Sequence, residues 1–96
     1  MRYAVHDMSA STLTVAVHNQ QGLVYEGEVI AVSSVNTLGV FDILPTHANF
    51  ITLIEKTLTL HLPNQKTQQF DLQQGVLECL SSQVKIYLDL NKITIN

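Results

Sequence analysis

An all-β domain, folded as a flattened β-sandwich or barrel of about eight to ten short, mostly antiparallel strands, is what this chain predicts. Three observations carry the prediction. Apolar residues alternate with wetter ones at period two in most readable segments. Turn-forming clusters interrupt those segments at hairpin spacing. No helical stripe of useful length competes with the alternation.

Residues 1–12 carry no such pattern and read as a loosely held N-terminal segment. The first alternating run sets Leu13, Val15 and Val17 against Thr14, Ala16 and His18. Successive strand side chains point to opposite faces, so the run offers one core face and one wetter face. Asn19-Gln20-Gln21-Gly22 then turns the chain into Leu23–Tyr25. Asn49–Lys56 is the one ambiguous stretch, since Phe50, Ile51, Leu53 and Ile54 share a helical face. Its β-branched Ile51 and Thr52, and its short length, favour a strand.

Leu58, Leu60 and Leu62 alternate with Thr57, Thr59 and His61. Pro63-Asn64-Gln65-Lys66 separates this run from another near Gln68–Leu72. Ser81-Ser82-Gln83 separates Gly75–Leu80 from Val84–Leu90. Each of the four glycines (22, 27, 39 and 75) is isolated, at a turn or bulge. One domain over 13–90 results, with 91–96 as a short tail or edge strand.

Composition narrows the function classes. A hydrophobic fraction of 46% with 14% charged residues belongs to a globular core built mainly of Leu, Ile and Val. Five Lys plus Arg against eight Asp plus Glu leave a net charge of −3 and no basic cluster. Nucleic acid is therefore not an expected partner. No run of about 18 apolar residues occurs, so no helical membrane insertion is expected, and membrane association comes through partners. Cys79 is alone, which excludes an internal disulfide or cysteine cage, and its apolar setting makes it a small core residue.

Candidate chemistry is sparse. His18 and His61 lie on the wetter phases of their runs without a carboxylate or thiol partner in sequence, so no metal site is expected. His6 falls in the N-terminal segment. Glu26 and Glu28 share a strand face and lack a nucleophile or metal beside them. No glycine-rich phosphate loop and no nucleophile-elbow serine exist. The chain reads as non-catalytic, with no cofactor. His47 stands apart because Leu44-Pro45 precedes it: proline fixes its own φ and disfavours helix at Leu44, so the histidine locks a turn or faces a partner.

Taken together, Leu13-Thr14-Val15-Ala16-Val17, Gly22-Leu23-Val24-Tyr25-Glu26-Gly27-Glu28-Val29 and Gly75-Val76-Leu77-Glu78 flank a central Gly39-x-Phe41-x-Ile43-Leu44-Pro45-x-His47-Ala48. In this order and register they resemble the N-terminal β-sandwich domain of the epsilon subunit of rotary F-type ATP synthases, over roughly residues 13–90. The central element is the counterpart of the family's G-E-L-G-I-L-P-G-H-A. Val40 stands where that pattern has Glu, Asp42 and Thr46 where it has Gly, and Asn49 where a Pro follows His-Ala. The Phe41 and Phe50 pattern is closer to epsilon subunits of the alternative, often sodium-linked, ATPase operons.

The resemblance implies a central-stalk subunit that clamps the gamma subunit to the c-ring so that both turn together. It implies a cytoplasmic position, peripheral to the membrane through the complex. By residue-wise carry-over, Asn36, Thr37, Leu38, Gly39, Val40 and His47 face the c-ring, and Thr52 faces gamma. Val40 in place of Glu implies an apolar or steric contact instead of a charge pair. Typical relatives continue into a helical hairpin; the sequence stops at Asn96 without one, so inhibition or nucleotide sensing by that hairpin is not expected of this polypeptide. An uncovered gamma-binding face implies a homodimer in isolation. The competing reading is a generic β-sandwich module for a ligand or protein, and a small hydrolase relying on His47 is the third.

Overall fold

The computed structural model describes residues 12–89. Seven strands and no helix make up these residues: β1 (Leu13–Asn19), β2 (Gly22–Val29), β3 (Ala31–Asn36), β4 (Gly39–Ile43), β5 (Phe50–His61), β6 (Thr67–Leu80) and β7 (Gln83–Leu88). They are hydrogen-bonded in the order β2-β1-β7-β6-β5-β3-β4. Every neighbouring pair is antiparallel except β1 and β7. The all-β expectation holds. The expectations for residues 1–11 and 90–96 lie outside the described residues.

The strands number seven because two expected pairs run on without a turn. Asn49–Lys56 and Thr57–Leu62 merge into the 12-residue β5, and the runs near Gln68–Leu72 and Gly75–Leu80 merge into the 14-residue β6. No turn-forming cluster separates them, and bulges bend them instead. On β5, Lys56 takes a φ of 74°, and the register with β3 slips between Ser34 and Val35. On β6, the slip falls at Gln73–Gln74, opposite Glu55, and the buried phase changes from Leu72 to Gly75, Leu77 and Cys79.

Both bulges are satisfied by side chains. The buried Ser34 hydroxyl donates to the Thr57 carbonyl at 2.7 Å. The Asp89 carboxylate accepts from the Gln73 and Gln74 backbone N–H groups at 3.0 and 2.9 Å. Backbone groups left out of a ladder need such partners. A Cβ on Gly75 would stand 2.8 Å from the Tyr87 carbonyl oxygen, so only glycine fits where β6 closes on β7.

Beyond the bulges the strand pairings divide. Leu58–His61 of β5, with Glu55 across the bulge, pairs with β3, which continues to β4, and Gly75–Leu80 of β6 pairs with β7, which continues to β1 and β2. The inward faces meet in one core cluster that includes Leu13, Val15 and Val17 of β1, Val32 of β3, Ile43 of β4, Leu58 and Leu60 of β5, Leu77 of β6 and Ile86 of β7, all fully buried. A sheet whose two ends share one core is folded over itself as a sandwich. The long strands carry both layers, so the surfaces at their bends are held by the best-connected part of the fold.

Candidate interaction surfaces

Two hairpins close with the same local device. Asn19-Gln20-Gln21-Gly22 joins β1 to β2, and Asn36-Thr37-Leu38-Gly39 joins β3 to β4. In each, the asparagine Oδ1 accepts from the backbone N–H two residues on, Gln21 at 2.8 Å and Leu38 at 2.9 Å. In each, the closing glycine sits at a positive φ of 122° or 121°, which side chains rarely adopt. The geometry asks for Asn and Gly and is indifferent to the two residues between. One tip carries two glutamines, whereas the other presents Leu38 at 94% exposure, followed by Val40 at 80%. That contrast singles out the β3–β4 tip.

Of the residues the resemblance places toward a ring, Thr37 and Leu38 form this tip, Asn36 and Gly39 close it, and Val40 stands exposed on β4. Asn36 Nδ2 donates to Thr52 Oγ1 at 3.2 Å, so the residues assigned to two different partners touch. Thr52 is flanked by an apolar groove of about 270 Å³ lined by Ile51, Thr52, Leu53 and Val76. Ile51 and Leu53 project outward at 66% and 58% exposure. Period two explains the missed signal: Phe50–Ile54 carries apolar residues on both phases, and only pairing decides which phase faces out.

His47 belongs to a third, separate cluster. The Leu44 carbonyl accepts from the His47 N–H at 3.1 Å, closing a turn with Pro45 second and Thr46 third. Thr46 has a φ of 68°, the left-handed value a type II turn demands at that place. His47 Nδ1–H donates to the Ala48 carbonyl at 2.7 Å, and its exposed ring packs on Phe50 at a centroid distance of 4.9 Å. Phe50 meets Phe41 edge-on at 6.2 Å. The histidine thus locks the turn as expected from Pro45, while its ring leaves an outward edge.

The remaining polar groups among the described residues are dispersed or engaged with one another. Among the described residues no three His, Cys, Asp or Glu come together as metal ligands. His18 stacks on Tyr87 with centroids 5.0 Å apart, and its buried Nδ1 has no hydrogen-bond partner. His61 takes part in a constellation invisible in sequence, because strand register creates it. Ser33 Oγ donates to Asp42 Oδ1 at 2.6 Å and accepts from His61 Nε2–H at 2.8 Å. A nucleophilic serine needs histidine to take its proton; here the proton is directed to a carboxylate. Glu28 accepts from the Thr12 hydroxyl at 2.9 Å, and both Glu26 and Glu28 lie on the exposed face of β2. Burial pushes the Cys79 thiol up, as for a core residue.

No curated protein matches the chain by sequence. Its fold is similar to a chain in the cryo-EM structure of the Euglena gracilis mitochondrial ATP synthase (OSCP/F1/c-ring), at a TM-score of 0.76 and 15% identity. That match covers 81% of this chain and 51% of the Euglena chain. A chain in the Tetrahymena thermophila mitochondrial ATP synthase central stalk and c-ring structure is similar at a TM-score of 0.66 and 8% identity. There the match covers 79% of this chain and 62% of the other. The chain therefore spans about half to three-fifths of the length of these structural relatives. At such identities the likeness establishes the sandwich alone. The family model for the β-sandwich domain of the ATP synthase delta/epsilon chain matches residues 12–90, the whole of the described structure, and the chain belongs to that family.

Proposed function

We propose that the chain is a non-catalytic central-stalk subunit of an F-type ATP synthase, proton- or sodium-driven, that holds gamma to the c-ring for rotational coupling. The β3–β4 tip with Asn36, Thr37, Leu38, Gly39 and Val40 meets the ring, His47 adds a second ring contact from its separate turn beyond the other end of β4, and the groove beside Thr52 receives gamma. The observation that carries this reading is the exposure of Leu38 and Val40 on a hairpin whose twin places glutamine at the same turn position. Large exposed apolar side chains at a rigid tip mark a contact surface. The complex places the subunit on the cytoplasmic side, peripheral to the membrane; no helix among the described residues is long and apolar enough to cross it.

The hydrogen-bond contact between Asn36 and Thr52 supports a coupling role, because two docking surfaces joined this directly cannot move far apart. Shear between gamma and the ring would be resisted by the close-packed core behind both. The test is assembly with gamma and the c-ring from the same genome, followed by size-exclusion chromatography. The wild-type chain forms a one-to-one complex with gamma that joins the ring. Leu38→Asp combined with Val40→Arg releases the ring and leaves gamma bound and the domain folded. Unchanged ring assembly by the double variant would remove the tip assignment, and failure to bind folded gamma would remove the stalk reading.

A further inference from the structure

Behind the β3–β4 tip lies a recess of about 300 Å³ lined by Asn36 and Thr37, by Leu53, Ile54 and Glu55 of β5, and by Gln73 and Gln74 of β6. It exists because both long strands bulge at the same level, leaving Glu55 opposite two residues of β6. Glu55 is half-buried, and its carboxylate makes no hydrogen bond or ion pair with any described residue. Among the described residues, no lysine, arginine or histidine lines the recess. A partly desolvated carboxylate with no counter-charge has an unmet demand for donors.

We infer that this recess receives a lysine or arginine side chain from the protein partner seated on the tip, with Glu55 as its counter-ion. The inference rests on the docking role of the tip. An anion would meet the Glu55 charge, and an apolar group would desolvate it without replacing water. A metal would find a single carboxylate, and no cluster of three ligating side chains exists among the described residues. A basic side chain fits on every count: its nitrogens donate to the carboxylate and to the Asn36 and Gln73 amide oxygens, while its methylene stem lies along exposed Leu53. Thr37 belongs to both recess and tip, so a chain segment resting on Leu38 has a short reach into the recess.

Two measurements test this. The chain is titrated with the capped peptide acetyl-Gly-Arg-Gly-amide and followed by amide NMR. Shifts confined to Glu55, Gln73, Gln74 and the Asn36 side-chain amide are expected. They should vanish with the citrulline peptide, which lacks the charge, and with Glu55→Gln. Equal shifts with citrulline, or none with arginine, would overturn the inference. Next, association with the gamma–ring assembly is measured at low and high salt. Glu55→Gln weakens it roughly two- to fivefold at low salt and flattens its salt dependence, as loss of one partly exposed ion pair does. If the Leu38/Val40 double variant abolishes association while Glu55→Gln changes neither affinity nor salt slope, the recess assignment fails and the tip survives. If the double variant has no effect, the tip reading fails, and the peptide titration still decides the recess.

Discussion

Thr46 occupies a backbone conformation that its own side chain opposes. A β-branched residue at a φ of 68° sets Cβ against the neighbouring carbonyl, and the local hydrogen bond from its hydroxyl to the Pro45 carbonyl only partly offsets this. The family pattern has glycine there. Thr46→Gly is expected to raise stability by about 1 kcal/mol, read as a higher urea midpoint at constant slope. An unchanged or lower midpoint would mean the turn is not strained. The strain also shows what was legible at this scale. Pro45 announced a turn, and the turn is there, but the sign of φ at Thr46 follows from how β4 must reach β5 and is not written in Thr.

At the scale of elements, the bulges decide how two strands become four half-strands. Asp89 is the clearest instance: its carboxylate accepts from both backbone groups that the β6 bulge removes from the ladder, and its own N–H donates to the Gln74 carbonyl at 2.7 Å. Asp89→Ala is expected to cost about 1–3 kcal/mol by leaving those donors without a fixed acceptor, with Asp89→Asn recovering part of it. Denaturant curves on both variants check this, and a neutral Asp89→Ala would show that water replaces the carboxylate at no cost. In sequence Asp89 sits between Leu88 and Leu90 and reads as an exposed strand position. Its φ of 53° ends β7 instead. The hairpin turns, by contrast, were readable: Asn-x-x-Gly at β1–β2 and the Ser81-Ser82 pair at β6–β7 stand where spacing put them. Turn residues declare themselves because their backbone angles are local, whereas a bulge depends on the partner strand.

For the whole molecule, the question is what the outer face does when nothing covers it. Ile51 and Leu53 beside Val76 form an apolar groove on a rigid sheet. The isolated chain is expected to self-associate through it as concentration rises, in sedimentation velocity, and Ile51→Lys should return it to monomer without lowering the unfolding midpoint. A monomer at all concentrations would show that the groove alone is insufficient for self-association. The same face is the proposed seat of gamma, so the two associations should compete.

The all-β class, the turns and the core phase of β1, of the Leu58–Leu60 half of β5 and of β7 were determined by the sequence alone, because period-two alternation and turn chemistry act over a few neighbouring residues. The fusion of four expected strands into β5 and β6, the choice of Ile51 and Leu53 as outward residues, the Asn36–Thr52 contact and the recess around Glu55 were decided only in three dimensions. Each depends on register between segments distant in the chain, and register is set when the two halves of the folded sheet close on one core.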